Sequence, residues 1–122
     1  MVFQKAPDIQ KKVTSLVKQL SLSYIDPRKI ITFRSSGSKA RARARIWSFP
    51  RIWQQALGLS PYYCIEVMKE RFDHLTREEQ TRILIHELLH IPRNFSGALL
   101  SHRGRSRRID AREVEKLFQK IK

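Results

Sequence analysis

A chain of 122 residues with 41% hydrophobic content is long enough for a single modest core and too short for a second, so one domain over residues 1–122 is expected. Its 25 Lys and Arg against 11 Asp and Glu leave a formal charge of +14, which must be carried at the surface and will attract polyanions whatever else the chain does. No run of roughly eighteen apolar residues and no basic start followed by a long apolar stretch occurs, which speaks against a membrane span and a secretory signal. The single cysteine, Cys64, cannot close an internal disulfide, and the expected setting is therefore intracellular, in the cytoplasm.

In chain order, Asp8 to Leu22 places Ile9, Val13, Leu16, Val17 and Leu20 on one stripe against Lys11, Lys12, Ser15, Lys18 and Gln19. That spacing predicts an amphipathic helix capped by Asp8. Its stripe has no aromatic residue, which argues against a helix lying on a membrane. Asp26-Pro27 breaks the chain, and Ile30 to Phe33 reads as a strand ending in the turn-rich Ser35-Ser36-Gly37-Ser38.

Ala40 to Phe49 alternates strictly, with Ala40, Ala42, Ala44 and Ile46 on one side and Arg41, Arg43, Arg45 and Trp47 on the other. Period two predicts a strand. The second side offers a cationic surface with an aromatic platform, suited to nucleic acid through Arg41, Arg43, Arg45 and Trp47. The plainer alternative is a solvated sheet edge whose charges deter edge-to-edge pairing. Pro50 to Leu57 reads as a short helix closed by Gly58, and Tyr62 to Met68 as a strand on whose exposed edge an extended peptide could pair. Within that strand Cys64 reads as a small buried hydrophobe, with capping of a metal as an inhibitory thiolate the alternative.

The stretch from Thr76 to His102 carries His86-Glu87-Leu88-Leu89-His90. This is the HExxH pattern of zinc peptidases. Thr76-Arg77-Glu78-Glu79 reads as a capping box that starts a helix at about Arg77, and Pro92 marks its end. Residues four apart share a helix face with Cβ atoms roughly 5–6 Å apart, close enough for two imidazoles to hold one metal. Glu87 stands beside that face, where a general base would reach a water rather than the metal. Ile83, Leu84, Ile85, Leu88 and Leu89 make the rest of the helix apolar, and ionisable groups among them are costly unless paired or ligating.

A catalytic zinc needs three protein ligands and one open position. His102 is the favoured third ligand, although the twelve-residue step from His90 could span about 40 Å and restricts nothing. The Gly and third His of the metzincin pattern are absent, since Arg93 and Ser96 occupy their places. A carboxylate from the last helix, Asp110, Glu113 or Glu115, stays open as an alternative. That helix is expected over about Arg107 to Lys120, with Asp110, Val114, Leu117, Phe118 and Ile121 in register and Arg103, Arg105, Arg107 and Arg108 in solvent.

The run LIHELLHIP with Phe95, Gly97 and His102, together with RIWSFPRIWQQALGL and YYCIEV upstream, resembles a small zinc metallopeptidase domain of archaeal and phage proteins. More distantly it is similar to minimal zincins such as the minigluzincins and the SprT-like proteases. The resemblance implies zinc held by His86, His90 and His102, with Glu87 as catalytic acid and base. The expected fold is α+β in a minimal zincin-like layout: an N-terminal helix, a three-stranded sheet, a central helix carrying HExxH, and a C-terminal helix. The expected function is zinc-dependent hydrolysis of peptide bonds in a peptide or protein substrate. A basic nucleic-acid-binding module with a structural or vestigial zinc site, or a protease acting on nucleic-acid-bound proteins, is the alternative.

Overall fold

The computed structural model describes residues 1–102 and 109–122. Its sheet has four strands, β1 (Val2–Lys5), β2 (Ile30–Ser36), β3 (Ala44–Trp47) and β4 (Tyr63–Met68), in the order β1-β2-β4-β3. β2 and β4 run parallel, while β1 and β3 flank them antiparallel. Five α-helices accompany the sheet among the described residues: α1 (Pro7–Gln19), α2 (Arg51–Leu57), α3 (Lys69–Phe72), α4 (Arg77–Leu88) and α5 (Ala111–Lys120).

The class is α+β, but the sheet has one strand more than the three expected. The addition is β1, whose four residues are all exposed, so no buried alternation marks it in the sequence. A second correction concerns the edge. The strand read as Tyr62 to Met68 lies between β2 and β3, and five of its six residues are buried, so no peptide can pair with it. The free edge beside α4 belongs to β3 instead.

β3 itself covers only Ala44–Trp47, not Ala40 to Phe49. Arg41 and Arg43 precede the strand and are exposed, so the four-residue cationic stripe is not a continuous strand face. Arg45 and Trp47 do share a face, and both are held by one acid. Glu66 of β4 is buried, and its Oε1 accepts from Arg45 Nε and Trp47 Nε1, each at 3.0 Å. Burial alone would raise this carboxyl; the hydrogen bonds from Trp47 and Arg45 and the Arg45 charge oppose it, and the carboxyl is held below its ordinary range.

The core lies between the other face of the sheet and the helices. α1 contributes Ile9, Val13, Leu16 and Val17, and α4 contributes Leu84, Ile85 and Leu88, against Ile30, Ile65 and Val67 of the sheet. Each such side chain stabilises the fold by roughly 1.5–3 kcal/mol. α1 begins two residues earlier than a cap at Asp8 implies, because Pro7, with its fixed φ, occupies the first turn behind Ala6, and no side chain caps it. Asp8 bridges to Arg34 at 2.9 Å instead. α5 begins at Ala111 behind Asp110, whose carboxylate accepts from Glu113 N–H at 3.0 Å, and it packs against α4 through Val114 and Phe118. The expected start at Arg107 and the solvated Arg103, Arg105, Arg107 and Arg108 lie outside the described residues.

Candidate metal centre

α4 starts where its capping box predicts: Thr76 Oγ accepts from Glu79 N–H at 3.1 Å. The carboxylate of Glu79 returns to the Thr76 hydroxyl, also at 3.1 Å, rather than to its backbone. At the other end the α-helix stops at Leu88, and the turn tightens as His90 N–H bonds Glu87 O and Ile91 N–H bonds Leu88 O. Pro92 is the cause, since it bars its predecessor from the α region. His86 therefore sits in the last helical turn and His90 in the tightened turn that follows.

The chain then reverses and is tied down at several points. Gly97 adopts φ +92, and a Cβ there would collide with Phe49 O. Its carbonyl accepts from Phe49 N–H at 2.8 Å, and its N–H donates to the buried Tyr63 hydroxyl, also at 2.8 Å. That hydroxyl donates onward to Ala98 O, while Gln54 Nε2 donates to both Phe49 O and Ser96 O. Leu100 is held against His90, and two residues later His102 arrives beside both helix histidines. Tyr63, Gln54 and Leu100 are the positioning residues that sequence reasoning missed. Only Gly97, a residue suited to reversing the chain after Pro92, signals them.

The result is a convergence of three imidazoles. Nε2 of His86 lies 3.1 Å from Nε2 of His102 and 3.4 Å from Nε2 of His90, and the three ligand atoms all fall within 4.8 Å of one another. Nitrogens bound tetrahedrally at about 2.0–2.1 Å from zinc stand roughly 3.3 Å apart, so the spacing fits one small metal ion. His90 Nδ1 lies 2.6 Å from Leu100 O, a carbonyl that can only accept. His90 therefore carries its proton on Nδ1 and turns the Nε2 lone pair inward, the arrangement by which a backbone carbonyl orients a metal-binding histidine.

Burial depresses His86 to about 4, with repulsion from His90 and His102 adding to it, and burial also lowers His90. Both rings are thus neutral near pH 7, the state a metal requires. Glu87, one position along from His86 and 8% exposed, is pushed up to about 7 by burial against an opposing hydrogen bond from the Ile46 backbone. A carboxyl poised near neutrality is suited to exchanging protons.

The three acids kept open as alternatives do not join the cluster. Asp110 caps α5, Glu115 accepts from Arg82 Nε at 2.8 Å, and neither they nor Glu113 belong to the histidine group. Cys64, half-buried in β4, is likewise not among the grouped side chains, which removes the inhibitory thiolate. No fourth His, Cys, Asp or Glu completes the group among the described residues, and the segment 103–108, RGRSRR, contains none of these types.

No helix among the described residues is long and apolar enough to cross a membrane. No curated protein and no solved structure matches the chain at a significant level. One family model does match, over residues 1–122, and with the histidine cluster it agrees on metal-dependent chemistry: the chain belongs to the family described as putative phage metallopeptidase.

Proposed function

We propose that this chain is a minimal zincin-like peptidase in which His86, His90 and His102 hold zinc and Glu87 moves the proton. The observation that carries the reading is the approach of three Nε2 atoms at 3.1 and 3.4 Å with no fourth protein ligand among the described residues. A structural zinc site closes with four protein ligands, whereas three leave a position for water. When bound, zinc polarises a carbonyl and brings the pKa of water towards about 7.

The chain's own groups supply the rest. Glu87 takes a proton from the attacking water and delivers it to the leaving amine, for which a pKa near neutrality is apt. Met68 N–H bonds Arg43 O at 2.9 Å, which sets the phase of the β3–β4 ladder. Backbone groups alternate in an antiparallel pair, so Arg45 and Trp47 face β4 while Ala44 and Ile46 turn theirs to the free edge. Ile46 N–H is turned to Glu87, whose pKa it lowers, which leaves Ala44 N–H and the two carbonyls to pair with an extended substrate. A cavity of about 530 Å³, lined by Ala42, Ala44, Ile83, Glu87, Ala111 and Val114 among others, adjoins this edge and takes an apolar side chain. The substrate is accordingly an extended peptide or unfolded protein.

Elemental analysis tests the ligand set. The purified protein is expected to hold about one zinc per chain, and His86→Ala, His90→Ala and His102→Ala each to lose it. Retention of stoichiometric zinc by His102→Ala, with loss by Glu113→Ala, would move the third ligand to α5.

A further inference from the structure

The reverse face of the sheet, away from α1 and α4, carries rings and cations in register. Trp47 lies in one row with Cys64 and Ile31, and the next row along the strands holds Arg45, Glu66, Phe33 and Lys5. Phe3 follows in the row beyond, opposite Ser35. At the other end Lys29 stands 6.0 Å from the Tyr62 ring, and Arg45 stands 5.0 Å from the Trp47 ring. Successive rows are two residues, roughly 6.6 Å, apart. Trp47 and Phe3 are 48% and 56% exposed, too much for rings whose task is core packing.

We propose that this face binds single-stranded nucleic acid. Rings beside cations at a regular repeat are what unstacked bases and their phosphates require together. The chain's charge of +14 selects a polyanion, and the one acid in these rows, Glu66, is buried and engaged by Arg45 and Trp47. Those two hydrogen bonds also hold the Trp47 ring in place, so little ordering is needed on binding. A duplex keeps its base faces covered, so the rings select single strands. The proposal is independent of the peptidase reading: Arg45 and Trp47 project from the face opposite Ala44 and Ile46, and Glu87 meets the strand at Ile46, so both faces of β3 can be engaged at once.

The chain has two tryptophans, so Trp53→Phe leaves Trp47 as the only tryptophan emitter. Titration of that variant with a mixed-sequence single-stranded DNA of about fifteen nucleotides is expected to quench Trp47 emission, whereas duplex of the same sequence quenches little. In anisotropy measurements Trp47→Ala should weaken binding by about tenfold or more, and Trp47→Phe should retain most of it. The double change Lys5→Ser with Lys29→Ser should flatten the salt dependence by about 0.7 per lost phosphate contact, unlike the equally charged change Lys11→Ser with Lys18→Ser on α1. Equal effects of the two lysine pairs with unquenched Trp47 would overturn the proposal and leave general polyanion attraction. Equal quenching by polyglutamate would reassign the face to acidic proteins, and a dimer in sedimentation that Trp47→Ala dissociates, with DNA affinity unchanged, would reassign it to a second copy of the chain.

Discussion

His90 and Leu100 are bonded to each other twice: His90 O accepts from Leu100 N–H at 2.7 Å, and Leu100 O lies 2.6 Å from His90 Nδ1. One pair of residues thereby fixes the end of the helix that carries both histidines, the tautomer of His90 and the path of the chain towards His102. Leu100→Pro removes the N–H and half of this tie. Zinc affinity is expected to fall about 10- to 100-fold, the loss typical when a ligand's supporting shell is removed. Competition against a fluorescent chelator measures it.

A parallel test falls on Tyr63, which is 1% exposed and whose hydroxyl bridges Gly97 N–H and Ala98 O. Tyr63→Phe leaves a buried N–H unpaired, so stability in urea should drop by about 1–3 kcal/mol. Zinc should also bind more weakly, because the loop that delivers His102 loses its anchor. A drop in stability with unchanged zinc affinity would show that the loop is held without Tyr63.

How far these features were legible in the sequence depends on the distance over which each is determined. The helix with His86 and His90 was readable because its cap, its apolar fill and Pro92 all lie within seventeen residues of one another. The position of β4 was not. A glutamate in mid-strand gives no local sign of burial, and the partners that allow Glu66 to be buried, Arg45 and Trp47, stand 21 and 19 residues away. β1 has no buried residue to impose a period, and its pairing with β2 is a tertiary fact. The meeting of His102 with the helix histidines depends on Tyr63 and Gln54, neither of which carries a local signal of that role.

Protons should leave as the metal binds, in a pattern that identifies Glu87. Its pKa of about 7 in the metal-free protein means that at pH 6 the carboxyl is mostly protonated, and a nearby cation favours the ionised form. His86, at about 4, has no proton to give at that pH. Calorimetry in buffers of different ionisation heat should therefore find nearly one more proton released on zinc binding by the wild type than by Glu87→Gln. Equal release would mean that Glu87 is already ionised or lies beyond the metal's influence.

Folding stability without metal carries opposing contributions from the same residues. For His86 the folded pKa is below the ordinary 6.5, so its contribution is present above that value and lost as pH falls towards about 4. For Glu87 the folded pKa is above the ordinary 4.5, so its contribution is present at low pH and lost as pH rises through about 7. Glu87→Gln removes the second effect alone. Metal-free Glu87→Gln should therefore gain stability relative to wild type as pH rises from about 4.5 to 7, and parallel curves in urea titrations would contradict the burial assigned to Glu87.

The cavity beside the β3 edge predicts a change of specificity that leaves the metal untouched. Ala111 is exposed and lines it, so Ala111→Phe narrows the space without disturbing the core. Cleavage-site profiling should show preference moving to smaller side chains, with zinc content unchanged. An unaltered profile would place the substrate elsewhere.

The most direct measurement is turnover of an unfolded protein by wild type and Glu87→Gln at equal, verified zinc content. About one zinc per chain is expected in both, with cleavage by the wild type and a rate lower by about 10²- to 10⁴-fold in the variant, the loss that follows removal of a general base. Equal rates in the two proteins would contradict the role assigned to Glu87.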